Sequence, residues 1–246
     1  MNESRILKEI IFMTRNDIEK AVNQFPVAVL PVGSTEQHGP HLPLGVDTIL
    51  AEFISREVCL KTGAILLPSI PFGYSWVWRD IPGTLSINEE TLKKIIKDLA
   101  NSLSRFGIKI LAIINGHDAN NSILKYVARE LQDETDRIKI LYFFYPDYEE
   151  VMKKYCSSET WYGLFHADEF ETSLMLAIRP QLVNMRKAVS EYPAKPDLYG
   201  KSTISLGHLS KSGVFGDPTK ASKEKGNVML DIFINKISKL LLEVIN

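Results

Sequence analysis

Two apolar runs, VAVLPV at 27–32 and KILAII at 109–114, each end at a Gly-containing turn and lead into a stretch whose apolar residues recur at helical spacing. A strand with no polar face must be covered on both sides, and in a chain where strands alternate with helices that means a parallel sheet between helical layers. The spacing predicts strand 27–33, helix 48–61, strand 64–67, a loop with a short extended piece over 71–88, helix 89–106, strand 109–114, helix 119–134 and strand 139–144. Alternation of this kind argues for an α/β fold with a mostly parallel sheet, and right-handed crossovers then bring the strand ends to one edge. A closing helix from about Lys220 carries the apolar stripe Leu230, Phe233, Ile237, Leu240 and Val244, read as core or oligomer contact. Between them, the Pro-, Gly- and Ser-rich stretch from Pro193 to Pro218 is too long for an ordinary connection and is expected to be a lid, an arm or a subunit contact. The 246 residues fit one large domain spanning 1–246.

Charge narrows the partners. With 29 basic and 30 acidic residues the formal net charge is −1, which offers no general attraction to nucleic acid or anionic membrane. Cys59 and Cys156 are too few for a disulfide framework and are read as reduced. The opening segment MNESRILKEIIFMTR interrupts its apolar positions with charge and lacks a signal-peptide core, and no run approaches the roughly 18 apolar residues of a membrane span. A cytoplasmic protein acting on a small molecule is the expectation.

Three polar islands interrupt this pattern. The first, EQHGPHLPLGVD at 36–47, follows the first strand directly. Glu36 and His38 are two apart, so in extended chain they project to the same side. Gly39, Pro40, Pro43 and Gly45 allow the chain to turn back so that Asp47, at the start of the next helix, joins them. Alone, Asp47 would read as a helix cap and Glu36 or His38 as loop residues; together they form an oxygen and imidazole set suited to a metal ion. The second island is Asn115-Gly116-His117-Asp118, which places His117 at another strand end. The third, HADEFETS at 166–173, precedes an apolar helix; His166 and Glu169 are three apart and would share one helical face, with Glu169 functional and Asp168 incidental. Four of the chain's five histidines fall inside these islands. Strand ends of an open α/β sheet are where ligand crevices form, which makes the combination more telling than its parts.

The motifs LPVGSTEQHGPHLPLGVD, PGTLSI (82–87), NGHDANN (115–121), HADEFETSLML (166–176) and GVFGDPTKASKEKG (213–226), in this order, resemble the creatininase family of creatinine amidohydrolases and relatives. The resemblance implies a three-layer α/β/α fold, a site for two divalent ions and a hexameric assembly. By position it makes Glu36, His38, Asp47 and His117 metal ligands, with Asp47 bridging both ions, and His166 the proton-transfer residue. After NGH the creatinine-hydrolysing members carry a tyrosine and a metal-binding glutamate, where this chain has Asp118 and Ala119. Glu169 is the expected replacement ligand, ahead of Asp118. The tryptophans that close over creatinine in those members align near Pro146 and Tyr162, so Trp161, Tyr162 and Asp118 are expected to contact substrate and creatinine itself is not the expected substrate.

What the resemblance implies chemically is hydrolysis of a carbon–nitrogen bond in a small cyclic or formyl amide. Two ions of zinc, manganese or iron would activate water. His166 would protonate the leaving nitrogen, with Glu171 orienting that histidine or a ligand. Relatives that deformylate a pyrimidine nucleotide intermediate, trim a cofactor-precursor peptide or open a sugar lactone share such ligands, and a non-catalytic metal-binding or ligand-binding protein is the reading from another class. For a phosphorylated substrate, Lys195, Lys201 and Lys211 in the long loop are the candidate cations.

Overall fold

The computed structural model describes residues 6–245. Five strands form one sheet: β1 (Lys8–Glu9), β2 (Val27–Val32), β3 (Ile65–Leu66), β4 (Ile110–Asn115) and β5 (Lys139–Phe143). They run in the spatial order β1-β3-β2-β4-β5, with every neighbouring pair parallel. Side chains leave a strand on alternate faces. Accordingly Val27 and Val29 of β2 enter one core with Ile110, Ala112 and Ile114 of β4, while Ala28, Leu30 and Val32 enter the other with Leu111 and Ile113.

The first core is closed by α2 (Val46–Thr62), α5 (Tyr148–Tyr155), α6 (Glu169–Ile178) and α7 (Lys223–Ile245). The second is closed by α1 (Arg15–Gln24), α3 (Glu89–Arg105) and α4 (Asn120–Glu134). The result is a three-layer α/β/α fold. The stripe expected on the last helix is shifted: Leu230, Phe233, Ile234, Ile237 and Leu241 are buried, whereas Val244 is exposed, because α7 crosses α6 and α2 on a slightly rotated face. β1, α1 and α5 add to the elements expected from spacing. Helix α1 begins at a capping box in which Thr14 Oγ1 accepts the Asp17 N–H while Asp17 Oδ2 accepts the Thr14 N–H.

The 193–218 segment folds over the carboxyl edge of the sheet. Ser205 donates to the Val77 carbonyl (2.9 Å), and Leu206 joins Trp78, Trp161 and Phe215 in a small separate apolar cluster. Glu191 ties the segment down by accepting the Lys211 and Ser212 N–H groups at 2.8 Å each. Among the described residues no helix is long and apolar enough to cross a membrane.

Candidate functional site

β2 and β4 lie side by side in register, Val32 opposite Asn115, so the segments that leave them start from one edge. Glycines bring these segments together. A Cβ on Gly116 would sit 2.1 Å from the Asp47 carbonyl oxygen, and one on Gly33 would sit 2.5 Å from the Thr48 backbone, so only glycine lets both strand ends touch the first turn of α2. Asp47 stands in that first turn, where the helix dipole favours a carboxylate.

Three trios of donor atoms converge there, each within 4.8 Å: Glu36, Asp47 and His117; His38, Asp47 and Glu171; and Glu36, His38 and His166. All six side chains are buried. His117 donates from Nε2 to the Tyr74 carbonyl (3.0 Å), which leaves its Nδ1 facing Asp47 Oδ2 at 3.1 Å and Glu36 Oε1 at 3.4 Å. His38 donates from Nδ1 to the Glu36 carbonyl (3.1 Å), which leaves its Nε2 3.1 Å from Asp47 Oδ1 and 3.8 Å from Glu171 Oε2. Backbone acceptors thus fix both rings and aim the other nitrogen of each at carboxylates, the arrangement that orients imidazoles toward a metal ion. Although close, these atoms are not aligned as hydrogen bonds: Glu36 Oε2, His38 Nε2 and Asp47 Oδ2 are fully buried without a hydrogen-bond partner. Buried polar atoms orphaned in this way are rare and costly, and a divalent cation would satisfy all of them. The residues present therefore fit the metal centre that the motifs imply.

Protonation in the metal-free cluster points the same way. Burial works against a charge on His117, yet Glu36 and Asp47 hold it up to about 10. Burial raises Glu36 to about 7, with Asp47 adding to the rise and the histidines opposing it. Burial opposes and Asp47 and Glu171 outweigh it at His38, which is pushed well above its ordinary value. Protons here occupy the place of a cation.

Glu169 does not join the cluster. Its carboxylate accepts the Ser157 and Ser158 N–H groups at 2.9 and 2.7 Å and pairs with Lys225, clamping the start of α6 to α7. Glu171, one half-turn further, takes the expected place beside His38 and Asp47, and it also accepts the Ala167 N–H at 2.5 Å. The reason is where the helix begins. Asp168 is its N-cap, accepting the Phe170 and Glu171 N–H groups, so His166 lies before the helix and the three-residue spacing to Glu169 has no helical meaning. Asp168 thus serves the helix start and stays outside the cluster. Ala167 between them adopts a left-handed φ of 50°, which turns His166 inward. There His166 Nε2 meets the Gln37 carbonyl (2.8 Å), its Nδ1 lies 3.8 Å from Glu36 Oε1, and Trp78 stacks on the ring at 4.4 Å. Burial and the neighbouring His38 cation hold His166 well below its usual range, hence neutral.

Above the cluster is a cavity of about 210 Å³. Glu36, Asp47, His117, His166 and Glu171 form its floor; Val77, Trp78, Phe144, Leu164, Phe165 and Leu206 its walls; Asp118 stands at the rim. Trp161 and Tyr162 do not line it. Trp161 is buried under the arm, donating to the Pro193 carbonyl and packing on Phe215 and Tyr199, and Tyr162 points to solvent with 65% of its surface exposed. Trp78 was missed by sequence reading, although Tyr74, Trp76 and Trp78 crowd one short loop. So was Tyr145, whose buried, partnerless hydroxyl feels Glu171 and Asp47 from the end of β5. A larger cavity of about 570 Å³ lies between α5 and the 156–163 segment and contains none of the cluster.

Comparison with known proteins agrees with this fold. The family model for creatininase, creatinine amidohydrolase, matches residues 12–241. The chain belongs to the creatininase family. It is 29% identical over 231 residues to creatinine amidohydrolase of Pseudomonas putida, covering 88% of this chain and 89% of that one. A mycofactocin precursor peptide peptidase of Mycobacterium ulcerans is 30% identical over 230 residues (87% and 86% covered). A 2-amino-5-formylamino-6-ribosylaminopyrimidin-4(3H)-one 5'-monophosphate deformylase of Methanocaldococcus infernus is 27% identical over 224 residues (86% and 88%). Among solved structures, a mutant creatininase of Zn-Zn type superimposes with a TM-score of 0.85 at 28% identity, covering 97% of this chain and 98% of that one. These family members are hydrolases, and this chain brings together His, Asp and Glu groups that could hold a metal ion.

Proposed function

We propose that this creatininase-family protein is a metal-dependent amidohydrolase that cleaves the C–N bond of a small cyclic or formyl amide. The observation that supports it is the pair of donor trios sharing Asp47, with buried lone pairs left unmatched. In this reading Glu36, Asp47 and His117 hold one divalent ion, and His38, Asp47 and Glu171 the other; zinc, manganese and iron all suit such donors. Bound there, the ions supply Lewis acidity and lower the pKa of water toward neutrality.

The protein's own groups do the rest. Hydrolysis adds the oxygen of water to the carbonyl carbon, breaks the C–N bond and leaves a proton on the departing nitrogen. His166, kept neutral and lining the cavity with its Nδ1 3.8 Å from Glu36 Oε1, takes the proton from the water side and gives it to that nitrogen. The Gln37 carbonyl and the Trp78 ring hold its orientation through the transfer. Trp78, Leu164 and Leu206 exclude bulk water, which strengthens each polar interaction beneath them. Peptide bonds, the substrate of the peptidase relative, are the less favoured reading because the arm's Leu206 walls a cavity of only about 210 Å³. Cytoplasmic location and a hexameric assembly belong to the same proposal.

The test is elemental analysis combined with turnover on cyclic amides, formamides, lactones and dipeptides. Wild type is expected to hold two ions per chain and to hydrolyse small amides. His166→Ala should keep both ions and lose turnover by roughly 10²- to 10⁴-fold, the usual contribution of general acid–base catalysis. Two bound ions with no turnover of any compound would instead mark a non-catalytic binding protein.

A further inference from the structure

On the proposed reading the charges of the bound ions offset the carboxylates of the floor. Above that floor the charged group lining the cavity is Asp118, and no lysine or arginine contributes to its wall. The cations that sequence reading offered for a phosphate lie elsewhere. Lys195 sits over the rings of Tyr162 (4.5 Å) and Tyr199 (5.7 Å), and neither Lys201 nor Lys211 reaches the lining. Arg79 covers Trp76 at 3.8 Å and lies 3.6 Å from Asp80.

Asp118 is held in place by the network that positions His117. Asn115 accepts the His117 N–H (3.1 Å) and donates to Asn121 Oδ1 (2.9 Å); Asn121 in turn donates from Nδ2 to Asp118 Oδ1 (3.0 Å). A carboxylate fixed to the same scaffold as the floor presents its charge at a set height over the cavity. Its field reaches the arm, where burial first and Asp118 next push the Tyr199 hydroxyl up. Trp78 and Leu206 add apolar surfaces to the same lining.

We infer that this pocket selects its substrate by charge: it takes a compact amide with an apolar body against Trp78 and Leu206, uncharged or bearing a cationic nitrogen toward Asp118, and it rejects phosphate esters and carboxylates. Asp118 is the specificity-determining residue. The inference rests on the amidohydrolase reading and separates this chain from its deformylase relative, whose name specifies a 5'-monophosphate.

A matched panel tests it: small formamides of one size that differ only in carrying an ammonium, no charge, a carboxylate or a phosphate, assayed with the metal-loaded wild type, Asp118→Asn and Asp118→Lys. In the wild type kcat/KM should fall from the ammonium and neutral members to the anionic ones by about tenfold or more, as expected for one like charge at the rim. Asp118→Asn should narrow that gap and Asp118→Lys should reverse it, with metal content unchanged. Equal or better use of the phosphate ester by the wild type, or a ratio that ignores Asp118→Lys, overturns the inference. Absence of turnover on every member strikes the amidohydrolase reading instead. Titration calorimetry of the same compounds then decides charge selection: affinities in the stated order support it, and any other order overturns it.

Discussion

The decisive exchange at the residue scale is between Glu169 and Glu171. Both were visible as acids in HADEFETS, but their roles depend on which residue caps the helix, and a shift of that start by half a turn exchanges a place in the cluster for a clamp. Glu171→Gln is expected to reduce metal content from two ions to one per chain, while Glu169→Gln retains both and lowers stability by freeing Lys225; plasma emission analysis beside a urea melt separates them. The reverse pattern would restore Glu169 as the ligand. Loading also has a predictable pH sense. Ions bind bare donors, whereas His117, held up to about 10, and Glu36, at about 7, carry protons near neutrality in the metal-free chain. Affinity should therefore rise with pH, by up to about tenfold per unit for each proton displaced, until each donor's own value is passed. A metal-binding isotherm that does not change between pH 6 and 9 would contradict the shared cage. Glu36, His38, Asp47 and His117 were legible because strand ends and a two-residue spacing act locally. Trp78 and Tyr145 were not, since what makes them part of the site is a fold of distant loops over it.

At the scale of elements, the buried strands and four of the helices could be read from periodicity because each carries its own core face. β3, expected over 64–67, is pared to Ile65–Leu66 on the edge of β2, whereas β1, two residues long and too short for any period, was not expected and exists because β3 offers it an edge. Helix α1 was passed over despite its Thr14 and Asp17 capping box, and removing that cap with Thr14→Ala should cost about 1 kcal/mol in a denaturant melt without touching metal content. Helices α6 and α7 cross more closely than side chains permit. A Cβ on Gly226 would lie 1.9 Å from the Ser173 carbonyl oxygen, so Gly226→Ala must push the helices apart. The expected loss is about 1–3 kcal/mol, and an unchanged midpoint would mean the crossing is looser than described.

Taken as a whole, the molecule encloses three carboxylates and three histidines between its sheet edge and its arm, and without ions their burial is a standing cost. Ligand linkage returns about 2.7 kcal/mol at a hundredfold excess over Kd, so chelation should lower the melting temperature by roughly 5–10 °C for a chain of this size, measured by scanning calorimetry. An identical melt with and without chelator would argue against any resident ion. The parallel sheet and its two helical layers were foreseeable from alternation alone; the arm was recognisable as a long segment, but that it covers its own site through Leu206 emerges only from the three-dimensional arrangement. That arrangement also spreads the donors from Glu36 to Glu171, over most of the sheet and into the helix that follows it. No proteolytic fragment that loses either end of this span can assemble the cage, and no partly folded chain can either. On the proposed reading, the ion count of a preparation becomes a census of intact, fully folded molecules, available before any substrate is known.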